Sequence, residues 1–215
     1  MKINIVAGGP HNLIPGLERY AGEEVIWVGV DRGVSYLLSA GIKPARAFGD
    51  FDSVTDEELA EIEKEVSNLN KFKPEKDETD MELALNWSMA QQPESILIFG
   101  ATGGRLDHFM ANVQLLVKPV LEEKALQIEI IDRTNILNVK KPGSYIIEKH
   151  PGMKYVSFLP VSPAVSGMTL ENFKYPLKDC HIPIGSTLCI SNELISDHGT
   201  FSFSEGILLV VRSKD

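Results

Sequence analysis

Val25-Ile26-Trp27-Val28-Gly29-Val30 is a short apolar run that stops abruptly at Asp31. The same grammar recurs on both sides of it. Ile3-Asn4-Ile5-Val6-Ala7 runs into Gly8-Gly9-Pro10, Ala45-Arg46-Ala47-Phe48 ends at Gly49-Asp50, and Ser95-Ile96-Leu97-Ile98-Phe99 ends at Gly100. Leu126-Gln127-Ile128-Glu129-Ile130-Ile131 is a further strand candidate. Between the runs the period shifts to that of a helix. Leu59, Ile62 and Val66 follow a Thr55-x-x-Glu58 capping box. Met81, Ala84, Leu85 and Met89 make a second stripe, and Leu106, Phe109, Met110, Val113, Leu116 and Val117 a third. Short strands alternating with helices predict an α/β unit with a mostly parallel sheet. Strands that stop at glycine or aspartate gather polar loops at the carboxyl edge, where open α/β sheets bind ligands.

From Asn135 onward the pattern changes. Tyr145-Ile146-Ile147, Tyr155-Val156-Ser157-Phe158-Leu159, Thr187-Leu188-Cys189-Ile190 and Ile207-Leu208-Leu209-Val210-Val211 are strand candidates. Pro142-Gly143, Pro151-Gly152, Pro183 and Gly185 punctuate them, and no helix-length stripe appears. The expected fold is therefore an N-terminal α/β domain, residues 1–134, with a Rossmann-like sheet, followed by an all-β sandwich, residues 135–215.

The chain has 215 residues, 43% hydrophobic and 24% charged, enough to bury a real core. Its net charge of −9 disfavours nucleic acid and anionic membrane as partners, since both need a basic footprint. Cys180 and Cys189 form no CxxC pair and suit buried thiols in a reducing compartment. The opening Met1-Lys2-Ile3-Asn4-Ile5-Val6 is not a signal peptide, and no run has the length of a membrane helix. A cytoplasmic protein is expected.

Acidic residues crowd the loops of the first half: Asp31, Asp50, Asp52, Asp77, Asp80 and Asp107, with Arg105 among them. Carboxylates gathered at one edge repel one another unless a cation lies between them. A hard ion such as Mg²⁺ prefers oxygen ligands and shares them with phosphates. Gly49-Asp50-Phe51-Asp52-Ser53 reads equally as a metal or phosphate loop and as an Asx turn capping the helix from Thr55. Asp77-Glu78-Thr79-Asp80-Met81-Glu82 contains a Thr79-x-x-Glu82 capping box, but Asp77 lies outside the helix and capping does not need it. Gly100-Ala101-Thr102-Gly103-Gly104-Arg105-Leu106-Asp107-His108 follows a strand and opens a helix. It reads either as a glycine turn or as an anion cradle, in which Thr102, Gly103 and Gly104 offer backbone N–H groups and Arg105 a guanidinium fork. Asp31 is open between a turn role and a ribose contact.

Other chemistries are poorly represented. There is no GxxxxGK[ST] loop, and Ala7-Gly8-Gly9-Pro10-His11-Asn12 does not satisfy GxGxxG. His11, His108, His150, His181 and His198 show no zinc spacing, there is no GxSxG elbow, and Trp27 and Trp87 read as core.

Taken in order, Gly49-Asp50-Phe51-Asp52-Ser53, Asp77-x-Thr79-Asp80-x-Glu82-x-Ala84-Leu85, and Gly100-x-x-Gly103-Gly104-Arg105-x-Asp107-His108 with Asn112 resemble the thiamine pyrophosphokinase family. Asp31-Arg32-Gly33 is similar to that family's DGG-type strand end, with Arg32 in place of a glycine. Ser191-Asn192 and Gly199-Thr200-Phe201-Ser202-Phe203 resemble its C-terminal block. The resemblance implies transfer of pyrophosphate from ATP to thiamine, releasing AMP, in a homodimer with thiamine held between subunits. It implies Mg²⁺ on Asp50, Asp52 and Asp80, with Asp77 and Asp107 completing the acidic wall. It further implies nucleotide contacts from Asp31, Thr102, Gly103, Gly104 and Arg105, and thiamine contacts from Ser191 and Asn192. Animal members set a tryptophan of the C-terminal domain against thiamine. This chain has none after Trp87, leaving Leu194 or Ile195 as the apolar substitute. Two rival readings are a nucleotide-sugar glycosyltransferase using Asp50-x-Asp52 as a DxD motif, and a non-catalytic nucleotide-binding module.

Overall fold

The computed structural model describes residues 1–51, 54–66, 69–71 and 77–215, with backbone alone at 61 and 69–71. Asp52 and Ser53 of the first acidic motif lie outside the described residues. The chain divides into two compact units, Met1–Leu115 with Leu126–Arg133, and Leu116–Ala125 with Thr134–Asp215.

The first unit is α/β. Its strands are β1 (Lys2–Val6), β2 (Val25–Val30), β3 (Arg46–Gly49), β4 (Leu69–Lys71), β5 (Ser95–Phe99) and β6 (Gln127–Ile131), and its helices are α1 (Gly33–Ser39), α2 (Asp56–Glu65), α3 (Asp80–Ala90) and α4 (Leu106–Leu115). All the strand pairs are parallel, in the order β6-β5-β1-β2-β3-β4. The chain thus walks outward from β1 to β4, then returns to the other side of β1 for β5 and β6. β1 is buried beyond Lys2, as a central strand covered on both faces must be. Its one buried polar residue, Asn4, donates Nδ2–H to the Tyr20 carbonyl at 3.1 Å.

Helix α2 is set by its cap. Thr55 Oγ1 accepts from Glu58 N at 3.2 Å, and the Glu58 carboxylate accepts from Thr55 N at 2.8 Å. The Leu59, Ile62 and Val66 stripe then packs with Val34, Ala47 and Phe51. In α3, Met81, Ala84, Leu85 and Met89 are all buried, as the spacing predicts. The stripe on α4 divides. Val113 is buried, but Leu106 and Met110 are 78% and 56% exposed, because Asn112 and Val113 form the inward face and put the other flank outside.

The second unit contains α5 (Lys118–Leu121) and the strands β7 (Asn135–Lys140), β8 (Gly143–Glu148), β9 (Tyr155–Pro160), β10 (Ala164–Glu171), β11 (Leu177–Pro183), β12 (Asn192–Glu193), β13 (His198–Phe203) and β14 (Leu208–Ser213). Two antiparallel layers, β12-β9-β14-β7 and β11-β10-β13-β8, face each other as a sandwich. Val156, Phe158, Leu208 and Val210 from one layer meet Ile147, Val165, Met168, Phe201 and Phe203 from the other. Phe158 is at the centre, its ring 5.0 Å from Phe201 and 5.6 Å from Phe173.

Thr187–Ile190, expected as a strand, is a turn. Leu188 and Ile190 point to solvent, and only Cys189 is buried. The Cys189 carbonyl accepts from Phe158 N at 3.0 Å, so this backbone bond and the buried Cys189 side chain anchor the segment. Both cysteines are free thiols, Cys189 buried and Cys180 half-buried, and burial pushes the Cys189 thiol up to about 11. Among the described residues no helix is long and apolar enough to cross a membrane.

Thr55→Ala removes the acceptor from the α2 cap and is expected to lower stability by about 1 kcal/mol, with Thr55→Ser near neutral. Urea denaturation followed by far-UV circular dichroism measures this, and equal midpoints for all three proteins would deny the cap its role.

Candidate active site

The strand order changes direction between β1 and β5, so the loops leaving those two strands diverge and open a crevice at their carboxyl ends. The loops touch where they part. Ala7 N donates to Phe99 O at 2.8 Å, and Gly9 N donates to Gly100 O at 2.8 Å. A Cβ on Gly9 would come within 2.9 Å of the Thr102 carbonyl oxygen, so this approach requires glycine.

A cavity of about 740 Å³ occupies the crevice. It joins the Ala7–Gly9 loop, Asp31 after β2, Asp77–Met81 at the start of α3, and Gly100–Asp107 leading into α4. Of the residues predicted from the sequence, Asp31, Asp77, Asp80, Thr102, Gly104, Arg105 and Asp107 line this one space. Asp50 and Gly103 are not in its lining. Gly103, at φ +75°, instead faces the Leu13 side chain. Gly49 (φ +153°) precedes Asp50, and the position a Cβ would take there is filled by the Asp31 carboxylate. Asp80 is the first residue of α3, and Thr79 Oγ1 accepts from Glu82 N at 3.2 Å, so capping and cavity lining coexist on this segment.

The lining is electrostatically lopsided. Asp31, Asp77, Glu78, Asp80 and Asp107 bring five carboxylates, with Arg105 the only Lys or Arg among the described lining residues. Arg105 is itself engaged, because Nε and Nη2 donate to the two Asp107 carboxylate oxygens at 3.1 and 2.5 Å. That fork, aided by His108 N at 2.9 Å, holds the Asp107 carboxyl down at about 2. The donor set is all oxygen apart from His108, which suits a hard cation. Among the described residues no three His, Cys, Asp or Glu side chains are grouped to hold one ion, and Asp52 is outside that set.

Two contributors went unread in the sequence. Ala7-Gly8-Gly9 fails every phosphate motif yet forms one wall. Asp132, 5% exposed, accepts the Thr102 hydroxyl at 2.7 Å and obeys the strand-then-aspartate rule, since it directly follows β6. Asn112, singled out with the third motif, is buried and donates Nδ2–H to Ala101 O at 3.1 Å.

In the second unit Ser191 is exposed in a left-handed conformation (φ +56°), with its N–H donated to Ser157 Oγ at 2.9 Å. Asn192 is 2% exposed and commits its amide to backbone. Oδ1 accepts from Tyr175 N at 3.0 Å and Glu193 N at 2.9 Å, and Nδ2 donates to Tyr175 O at 2.9 Å. Asn192 therefore shapes the Ser191 turn. Leu194 packs on the sandwich core, whereas Ile195 is 68% exposed and is the apolar side chain presented to solvent.

Both parts of the chain match models of known protein domains. Residues 17–130 match the model of the thiamin pyrophosphokinase catalytic domain, and residues 144–208 that of the thiamin pyrophosphokinase vitamin B1 binding domain. The chain is 54% identical over 213 residues to a Bacillus subtilis thiamine pyrophosphokinase, covering 99% of both chains. Among solved structures, a B. subtilis thiamine pyrophosphokinase superposes with TM-score 0.94 at 53% identity over 100% of both chains. A Geobacillus thermodenitrificans thiamin pyrophosphokinase gives 0.90 at 53% identity over 100% of this chain and 98% of that one.

The Arg105–Asp107 fork makes a pH prediction. Its carboxyl is depressed on folding, so any stability it lends is present above the unfolded-state value and is lost as pH falls through about 2. A carbon-detected NMR titration of Asp107 should show a midpoint near 2, moving up toward 3.8 in Arg105→Gln. An ordinary midpoint in the unmodified protein would mean that the fork does not persist in solution.

Proposed function

The chain belongs to the thiamin pyrophosphokinase family, and from that premise we propose how its residues carry out Mg²⁺-dependent transfer of pyrophosphate from ATP to thiamine. The observation that carries the reading is the single cavity at the β1/β5 divergence, lined by five carboxylates and glycine-bearing turns. A triphosphate cannot enter such a wall unless a cation accompanies it. Asp50, Asp52 and Asp80 are the residues we assign to Mg²⁺, directly or through water, with Asp77 beside them. When bound, Mg²⁺ offsets the charge of the phosphate oxygens it shares with these side chains.

The protein's own part is positioning. Backbone N–H groups of the Thr102–Gly104 turn receive the polyphosphate, and the Arg105 fork exchanges Asp107 for phosphate oxygens of the same bidentate geometry. Asp31 receives the ribose hydroxyls. The thiamine hydroxyl oxygen bonds to the β-phosphorus, the α–β bridging bond breaks, and AMP leaves. A carboxylate of the wall takes the hydroxyl proton. Ser191 and the Asn192-stabilised turn contact thiamine, with Ile195 the apolar surface for its rings.

We further propose a homodimer with thiamine between subunits. Exposed Ile146, Ile184, Leu188 and Ile195 in the second unit are the kind of surface a partner would cover. Light scattering should return twice the 23.8 kDa chain mass, and a monomer at assay concentration would exclude a shared site. Two free thiols are in keeping with a reducing, cytoplasmic setting.

Incubation with ATP, Mg²⁺ and thiamine should yield AMP and thiamine diphosphate. ADP in place of AMP would overturn transfer at the β-phosphorus. UDP or GDP release from nucleotide sugars would revive the glycosyltransferase reading. Asp80→Asn should lower kcat by on the order of 10²-fold with the fold intact, and near-normal turnover would reject its role at the metal.

A further inference from the structure

The two loops of the crevice are tied to one dipeptide at the end of β6, Asp132-Arg133. Asp132 is 5% exposed and accepts the Thr102 hydroxyl at 2.7 Å, reaching the loop after β5. Arg133 reaches the loop after β1. Its N–H donates to Leu13 O at 2.9 Å and its Nε to Ile14 O at 3.0 Å. Residues 10–14 lie over the glycine turn. A Cβ on Gly103 would strike Leu13, one on Gly104 would sit 3.9 Å from Pro10, and one on Gly100 would sit 3.2 Å from Ile14. Together with Gly9 N to Gly100 O, these bonds close a ring: β1 loop, β5 turn, β6 end, and back to the β1 loop.

We infer that Asp132 and Arg133 are positioning residues that hold the Thr102–Gly104 turn and the Gly8–Leu13 loop in the shape that receives the ATP polyphosphate. The chemistry is specific. With its hydroxyl hydrogen donated in a hydrogen bond to Asp132, Thr102 has no hydroxyl donor left for a phosphate, so the hydroxyl fixes the turn and the backbone N–H groups meet the ligand. Burying a carboxylate is costly, and the Thr102 hydrogen bond offsets part of that cost at Asp132. Arg133 restrains two successive carbonyls, one through its backbone N–H and one through Nε, so lifting the β1 loop from the end of β6 breaks both bonds. Neither residue is in the cavity lining, so each acts through the loop it holds.

The inference rests on the cavity being the ATP site, and the test separates the two. Steady-state kinetics are measured with Thr102→Val, Thr102→Ser, Asp132→Asn and Asp80→Asn, each checked by thermal melting. Thr102→Val keeps the volume and deletes the donor. It should raise KM for ATP about tenfold while KM for thiamine stays within about twofold, as expected for loss of one hydrogen bond to a charged group. Thr102→Ser should restore the ATP value. Asp132→Asn, which keeps an acceptor oxygen in the same volume, should raise KM for ATP about threefold, and it carries the same test if Thr102→Val does not fold. Unchanged KM for ATP in both variants would overturn the inference. So would a fall in kcat with both KM values unchanged, because that pattern reports a smaller folded fraction. If Asp80→Asn also left turnover intact, the failure would belong to the site assignment itself.

Discussion

The amide of Gly9 donates to the carbonyl of Gly100 across the point where the β1 and β5 loops separate, and much of the first unit follows from that contact. Parallel strands send their loops out at one edge, and a reversal of strand order makes two neighbouring loops turn away from each other. The backbones must still meet before they part. Glycines at 9 and 100 allow the approach, and at Gly100 (φ +66°) the chain also adopts the left-handed turn that starts the Thr102–Gly104 segment. The cavity is the space left between them. Every acidic segment that reaches it starts from a strand end or a helix start facing the same edge, so the sheet alone brings together side chains as distant in sequence as Asp31 and Asp107.

What could be read from the sequence depended on whether each feature obeyed a short period or a local cap. β1, β2, β3, β5 and β6 were legible because buried parallel strands read as short, largely apolar runs. The stripes of α2 and α3 were legible because Thr55 and Thr79 mark their starts. β10 was not. It buries Val165, Met168 and Leu170, and the register shift between Val165 and Met168, at Gly167 with φ +71°, breaks the alternation that identifies a strand. β4 is three residues long with no periodicity to show. Thr187–Ile190 had strand composition, but its placement depends on a tertiary contact through Cys189 that no local pattern encodes.

The site divides in the same way. Carboxylates at strand ends and glycines before a helix are local signals, and Asp31, Asp77, Asp80, Thr102, Gly104, Arg105 and Asp107 converge as their motifs suggested. Contributions made by backbone, or by side chains anchoring other loops, leave little trace. Gly8-Gly9 works through absent side chains, and Asp132 through a hydroxyl thirty residues earlier in the chain. Asn192 was read as a thiamine contact because Ser191-Asn192 resembles the C-terminal block of the family. It is buried and bonded to the backbone of Tyr175 and Glu193, a scaffolding task in the Ser191 turn that residue type and spacing do not encode.

An acidic cavity treats the two substrates of such a reaction differently, and the order of charge neutralisation follows from this. A free triphosphate is repelled by Asp31, Asp77, Glu78, Asp80 and Asp107, and the one guanidinium in the described lining is already held by Asp107. In the proposed mechanism, nucleotide binding depends on divalent ions arriving with it, and on Arg105 trading a carboxylate for a phosphate at little geometric cost, since both offer two oxygens to one planar fork. Thiamine carries a positive thiazolium, which the same carboxylates attract without help. On that proposal the wall makes metal a condition for one substrate and favours the other directly, while the hydrogen-bonded loops around it would align the transferred group for attack. Phosphoryl-type transfers ask little covalent chemistry of a protein. A sheet edge that concentrates negative charge and fixes two glycine loops supplies what they do ask for, which is neutralisation and alignment.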